Sequence, residues 1–199
     1  MPWGINTAGQ IVGVCNKGDG EHAFLDDGGV ITIIDYPRAA TTQPLDINSA
    51  GAVVGLYEDL EHVVHAFLYD SGTFATIDYP DGATTDARGI NSAGDIVGTT
   101  EDLSGTTHGY LLSGGSFTLL DFPLATYTSA FGINDSGDIC GFYLDSANVG
   151  HGFIYSSGQF SNVDVAGSAR TALAHVTNSG VVTGFFIDQQ GEIHGVRGR

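Results

Sequence analysis

Five histidines, His22, His65, His108, His151 and His194, stand 43 residues apart. Imidazoles in register could converge on a metal ion. Aspartates keep the same interval. Asp35, Asp78, Asp121 and Asp164 each follow a His by 13 residues. Asp59, Asp102, Asp145 and Asp188 each stand four residues after a strand glycine, with Lys17 or Asp19 nearby in the first copy. Glu58, Glu61, Glu101 and Glu192 share their loops. Loops rich in carboxylate oxygen suit a divalent cation such as calcium, although none has the EF-hand spacing. Carboxylates that simply cap a hairpin and face water would give the same pattern.

Other residues break the interval. Two positions before each turn asparagine the residues are Gly4, Asp46, Gly89, Gly132 and His175. Glycine fits where backbones crowd, so Asp46 and His175 put chemistry where three copies put none. One position earlier stand Trp3, Leu45, Arg88, Phe131 and Ala174, a core row apart from Arg88. A carboxylate, an imidazole and a guanidinium could act as base and charge stabiliser. Asp46, His175 and Arg88 are therefore the candidate catalytic residues, with Asp86 beside them and Trp3 and Phe131 as apolar walls. The alternative is that Asp46 or Asp86 only neutralises Arg88. Tyr57, Tyr127 and Tyr143 are expected to be exposed and could stack on sugars. GxSxG, HExxH and P-loop patterns are absent. Glycosidases use two opposed carboxylates, and here only Asp46 and Asp86 come near that arrangement.

These residues need a frame to hold them, and the frame is a repeat. The units are 1–40, 41–83, 84–126, 127–169 and a partial 170–199, within a single domain 1–199. Each reads as strand a ending in Gly-Ile-Asn, an Asn-Ser-Ala-Gly type of turn, strand b, a variable loop, strand c from the His, a short turn, and strand d. An Asp-aromatic-Pro sequence stops strand d, because proline cannot donate to a ladder. A linker then leads to the next strand a. Asparagine can open such a turn by bonding its own backbone, and glycine supplies the positive φ. Aspartate outnumbers glutamate 18 to 5 and glycine reaches 30, which favours turns over helices.

A four-stranded antiparallel unit of about 43 residues, repeated radially, is the pattern of a β-propeller. Five units predict five blades. The length falls 16 residues short of five full units, so the last blade is expected to lack strand d. Its open edge could pair with another chain and build an oligomer. An open β-solenoid is the other fold considered. Strand c lies two spacings out from the innermost strand, roughly 10 Å. Five imidazoles there cannot meet at one ion, so the His row reads as structural, packed between blades and bonding a loop or backbone group. The rows of Thr42, Thr85, Thr128 and Thr171 and of Asp35, Asp78, Asp121 and Asp164 read the same way. Cys15 and Cys140 fall in blades that are not adjacent, so no disulfide is expected.

The repeated a–b and c–d turns should share one face, and the variable b–c loops and d–a linkers the other. The variable face is the expected working face. HAF at 22–24 and 65–67, with GIN…G…IVG at 4–13 and 89–98, resembles the bacterial extracellular HAF-repeat family over nearly the whole chain. Copies four and five depart from it, with HGF and HGV, and VTN for GIN. The resemblance implies an extracellular or cell-surface bacterial protein and no particular chemistry. The chain shows no signal-peptide pattern and no apolar run near the roughly 18 residues of a membrane helix.

Lys and Arg total 6 against 23 Asp and Glu, for a net charge of −17. Such a surface repels nucleic acid and anionic membranes. The composition and the repeat together lead to a binding or interaction module for a small molecule or glycan on the loop-rich face. The alternatives are a hydrolase or lyase at the channel mouth, with or without a metal, and a purely structural repeat that mediates assembly.

Overall fold

In the computed structural model, which describes residues 1–18 and 20–198, the chain is all-β. Blade one contains β1 (Pro2–Ile5), β2 (Ile11–Lys17), β3 (Gly20–Asp27) and β4 (Val30–Ile33). Blade two contains β5 (Thr41–Ile47), β6 (Val53–Glu58), β7 (Val64–Asp70) and β8 (Thr73–Ile77). Blade three contains β9 (Gly82–Ile90), β10 (Ile96–Asp102), β11 (Thr107–Ser113) and β12 (Ser116–Leu120). Blade four contains β13 (Tyr127–Ile133), β14 (Ile139–Leu144), β15 (Gly150–Ser156) and β16 (Gln159–Val163). Blade five has three strands, β17 (Arg170–Val176), β18 (Val182–Ile187) and β19 (Ile193–Gly198). Strands pair antiparallel in sequence order within each sheet. This is a five-bladed β-propeller with a short last blade, and the solenoid is set aside. Asp19, which the sequence places near the first variable loop, lies outside the described residues.

The a–b turns of blades one to four are each closed by an asparagine, and Thr177 takes that place in blade five. Asn91 Oδ1 accepts the N–H groups of Ala93 (3.0 Å) and Asp95 (2.9 Å). Gly94 completes the turn at φ 85°, which a side chain rarely adopts. The amide nitrogen is then free to reach the next blade. Asn6 Nδ2 donates to the Asn48 carbonyl (3.0 Å), Asn48 to that of Asn91 (3.1 Å), Asn91 to that of Asn134 (3.3 Å) and Asn134 to that of Thr177 (3.1 Å). A ladder of four side-chain bonds thus runs across five turns.

The linkers have their own clamp. Thr42, Thr85, Thr128 and Thr171 accept through Oγ1 the N–H groups of Tyr36, Tyr79, Phe122 and Val165, at 2.9–3.0 Å. This pins the end of one blade to the first strand of the next.

Call the side of a blade that meets its successor the front, and the opposite side the rear. The core lies between blades and is divided into four clusters. Val54 and Ile77 on the front of blade two pack with Ala87, Ile90 and Tyr110 on the rear of blade three. Val12 and Ile34 meet Ile47, Val53 and Phe67 in the same manner, and Val97 and Leu120 meet Ala130, Ile133 and Phe153. Cys140 meets Leu173, Val176 and Val182. The packed strand pairs join blade one to two, two to three, three to four and four to five. No comparable packing joins blade five to blade one among the described residues.

Near the axis the first strands approach closely. A Cβ on Gly89 would stand 2.9 Å from the Phe131 carbonyl oxygen and 3.1 Å from the Gly132 Cα. The crowding expected there is real. Each first strand also bulges one residue earlier, inserting Trp3, Leu45, Arg88, Phe131 or Ala174 opposite no partner. That row is therefore not core. Trp3 is 52% exposed, Ala174 is exposed, and the other three are half-buried, because a bulge turns its extra residue out of the packed faces.

Asn91→Ala removes three turn bonds, one of them to the Asp95 carboxylate, and one blade-to-blade bond at a buried site. We expect a loss of about 2–3 kcal/mol in urea unfolding. A change below about 0.5 kcal/mol, within the range of an ordinary surface substitution, would show that the ladder contributes little.

Candidate functional site

The sequence-derived catalytic trio is not assembled. Asp46 and His175 line a cavity of about 250 Å³ at the axis, ringed by the a–b turns of all five blades, including Asn6, Asn48, Asn91, Asn134 and Thr177. This mouth lies on the face of repeated turns, opposite the variable loops. Arg88, Asp86, Trp3 and Phe131 are not among its lining residues. Arg88 instead folds back on its own strand. Its Nε donates to Asp86 Oδ1 (2.9 Å) and its Nη2 to Oδ2 (2.6 Å). Its guanidinium sits 5.1 Å from the centre of the Phe131 ring, a cation–π contact. Asp86 Oδ1 also accepts the Thr99 N–H (2.9 Å). A bidentate pair of this kind is already satisfied and has little left for a substrate.

Asp46 is similarly occupied. Its Oδ1 accepts the N–H of Ile47 (2.9 Å) and its Oδ2 that of Ile90 in the next blade (3.0 Å). Burial pushes its pKa up, opposed by those two bonds and by His175. Both oxygens are tied to backbone, so Asp46 acts as a bridge between first strands, at the position where neighbouring blades rely on glycine.

The repeated histidines form a second, more regular arrangement. Each is held inside its own blade by carboxylates. Nδ1 lies 2.6 Å from Asp35 in His22, 3.0 Å from Asp78 in His65, 2.9 Å from Asp121 in His108 and 2.8 Å from Asp164 in His151. Nε2 faces the b–c loop aspartate: Asp59 at 3.3 Å, Asp102 and Asp145 at 3.5 Å, and Asp188 at 2.8 Å from His194. The first contact keeps the constant 13-residue spacing. The expected bond from each His to a loop group is present as the Nε2 contact, and the Nδ1 partner comes from the same blade.

Asp59, Asp102, Asp145 and Asp188 are loop caps. Each turns Oδ1 onto two backbone N–H groups of its loop, as Asp145 does with Ala147 and Val149, both at 2.8 Å. Their second oxygen serves the histidine. Among the described residues no group of three His, Cys, Asp or Glu side chains is placed to hold a metal ion. The calcium expectation thus finds no cluster to bind the ion, because the caps spend the oxygens that would ligate it.

The tyrosines also differ from expectation. Tyr57 and Tyr143 are 8% and 7% exposed. Each is stacked at 3.7 Å on the ring at the end of the preceding blade, Tyr36 or Phe122, and backs its own histidine at 5.0 Å. Burial pushes the Tyr57 phenol up to about 12. These rings are walls, not sugar platforms. Tyr127 is half-buried, 6.0 Å from Phe142. Cys15 and Cys140 are free thiols, and burial pushes Cys140 up to about 12.

Around three of the histidines the blade junctions open into equivalent clefts on the variable face. His65, Asp78 and Thr84 line one of about 100 Å³. His108, Asp121 and Tyr127 line one of about 220 Å³. His151, Asp164 and Ser168 line one of about 260 Å³. Each offers imidazole, carboxylate, hydroxyl and linker backbone at one wall. Sequence reasoning named the histidines and aspartates and took them for scaffold, since a residue present in every copy reads as structural. The linker that makes each cleft a cleft comes from the junction.

No family model matches the chain, and no curated protein matches it. Solved structures do. A structure of the Aleuria aurantia lectin, titled as a six-bladed β-propeller with a novel fucose recognition mode, superposes with a TM-score of 0.57 at 12% identity, over 99% of this chain and 72% of that one. TolB from Acinetobacter baumannii superposes at 0.67 with 14% identity, over 100% of this chain and 54% of that one. The β-propeller domain of the Trilobed protease from Pyrococcus furiosus, described as having an open velcro topology, superposes at 0.59 with 11% identity, over 99% and 78%. At these identities the likeness is one of fold.

The dyads fix a pH dependence. Burial alone would lower the pKa of His65 and His108, yet hydrogen bonds and charge from Asp78 and Asp59, and from Asp121 and Asp102, raise both above 6.5. Asp102 is held at about 2 by hydrogen bonds from Ser104 and Thr106 together with His108. A raised histidine contributes stability that is full below 6.5 and lost as pH rises through its folded value. A lowered aspartate contributes stability present above 3.8 and lost as pH falls through its folded value. Thermal melts should therefore peak between about pH 4 and 6.5. The Asp78→Asn, Asp121→Asn double variant should lose most of the decline seen from pH 6 to 8. An unchanged decline would place its origin elsewhere.

Proposed function

We propose that the protein is a multivalent binding module whose equivalent clefts between blades each take one neutral, hydroxyl-rich ligand such as a glycan residue. One observation carries this reading: the same His–Asp pair, with linker hydroxyls and backbone beside it, recurs at three successive junctions. Carboxylates accept hydrogen bonds from ligand hydroxyls through lone pairs the imidazole does not use, and linker N–H groups donate to ring or glycosidic oxygens. A net charge of −17 disfavours anionic ligands and leaves neutral polyols unaffected. The clefts are smaller than the roughly 300–1,000 Å³ of drug-sized pockets, which suits a single sugar unit.

The lectin relative is titled for fucose recognition. That supports a glycan as the ligand class here, without supplying the sugar. An extracellular setting and membership of the HAF-repeat family belong to the same proposal. The channel-mouth hydrolase gains no support, because Arg88 lies elsewhere and both Asp46 oxygens are occupied.

Weak single sites joined on one scaffold gain avidity by geometry. Titration calorimetry with a ligand chosen from a glycan array should give more than one equivalent bound per chain. Asp78→Asn, Asp121→Asn and Asp164→Asn together should reduce affinity at least about tenfold, since each removes a charged acceptor. Asp46→Ala should leave binding unchanged. A single site lost in Asp46→Ala would instead place the ligand at the axis.

A further inference from the structure

Blades four and five depart from the repeat together at one place. One residue before the clamp threonine stand Thr41, Thr84, Tyr127 and Arg170 in blades two to five. Across the strand pair they face Glu58, Glu101, Leu144 and Ile187 in turn. Blades two and three thus set a carboxylate opposite a hydroxyl, whereas blade five sets isoleucine opposite the one guanidinium in the row. An acid at Ile187 would be the ordinary cross-strand partner for Arg170. Two residues further along β17, Ala172 holds the position from which Asp86 neutralises Arg88 in blade three. Arg170 lacks both acids that its surroundings carry in blade three, and it makes no ion pair among the described residues.

Rings stand where the acids are lost. The position of Thr99 in blade three is Phe142 in blade four and Phe185 in blade five. Together with Tyr127, Phe131, Ile187 and Arg170 these line a cavity of about 330 Å³ between the two blades. The walls are held in place. Phe131 lies under the Arg88 guanidinium, 5.1 Å from its ring centre, and Tyr127 meets Phe142 edge-on at 6.0 Å. The residue before the repeated histidine is Glu21, Val64, Thr107 and Ile193 in the other copies and Gly150 here. A Cβ on Gly150 would stand 2.4 Å from Phe142 Cε2 and 3.4 Å from Arg170 Cδ, so this glycine makes room for the ring beside the arginine stem. Thr171 Oγ1 is already taken by the Val165 N–H and the Ser168 hydroxyl, both at 3.0 Å. Arg170 and the Tyr127 hydroxyl are the remaining polar side-chain groups of the wall. A sugar would leave most of its hydroxyls unpaired here, which separates this cavity from the histidine clefts.

We propose that the cavity binds a small aromatic carboxylate, with its ring against Phe142 and Phe185 and its carboxylate on Arg170. The planar guanidinium fork matches a carboxylate with two parallel hydrogen bonds. Aromatic walls hold a ring by offset or edge-to-face packing. The volume falls within the roughly 300–1,000 Å³ of small-molecule sites. The net charge of −17 opposes an anion only at a distance. That field is screened beyond about 8 Å at physiological salt, and the near charge is the guanidinium.

3-Phenylpropionate, titrated at physiological ionic strength and followed by NMR, is the probe. It should bind once per chain with a Kd of about 1 mM or tighter, and show contacts to the Phe142 and Phe185 rings. 3-Phenylpropanamide keeps the ring without the charge and should bind at least about tenfold more weakly. Ile187→Glu restores the residue type that blades two and three carry at this position, so the blade accepts it. The new carboxylate should occupy Arg170 and weaken the acid at least about tenfold. Arg170→Gln should weaken the acid as much and leave the amide unchanged, which separates lost charge from lost packing. Equal binding of acid and amide would overturn the proposal. So would an affinity for the acid that survives both substitutions, or contacts that map to another part of the chain.

Discussion

At the a–b turns of blades one to four one asparagine side chain bonds at least three ways. Its oxygen closes the turn by taking two N–H groups, and its nitrogen crosses to the carbonyl of the next turn. The remaining architecture depends on this short reach. First strands held a single hydrogen bond apart must touch backbone to backbone, which is why glycine or a bridging aspartate stands beside them. Blades set at that spacing close their apolar faces on each other with no polar side-chain atom left buried and unpartnered among the described residues. The ladder ends at Thr177, which has no amide to pass on, at the place where packing from blade to blade also ends.

The opposite face is organised by charge. Histidine on the third strand stands between a carboxylate at the end of strand d and one that caps the variable loop. Each loop aspartate spends one oxygen on its own loop and the other on the imidazole. The loop is thereby tied to the blade without any apolar contribution of its own, and loops of different sequence can share one anchor. The threonine clamp does the equivalent for the linkers. Clefts form where a clamped linker passes an anchored histidine, so their repetition follows from the repetition of both devices.

Stability in such an array is close to a sum of unit and neighbour contributions. Each interior blade gains from two interfaces and each end blade from one. The exposed Ile5 and Ile31 and the exposed Phe185 are where the missing neighbour contribution appears on the surface. Among the described residues the unpaired edge of β19 is a second such place.

Much of this was legible in the sequence because a repeat reports the same constraint several times. The 43-residue interval, the turn asparagines with their glycines, and the proline stops determined blade number, strand order and the three-stranded last blade. The His and Asp rows were legible as rows, always 13 residues apart in four copies, but their pairing showed only in the structure. What one copy alone carries was legible only in part, as in the alternative that Asp86 neutralises Arg88. Arg88 could have faced the axis, and only the bulge and the Asp86 carboxylate beside it decided otherwise. Asp46 and His175 do share a cavity, but the N–H of Ile90, 44 residues away, decides what Asp46 does there. Tyr57 and Tyr143 read as free rings until the end of the preceding blade stacked on them. Local hydrogen bonding and hydrophobic alternation act over a few residues and are written in the chain, whereas whether a side chain is free, paired or covered depends on which distant backbone arrives beside it, and only the tertiary structure sets that.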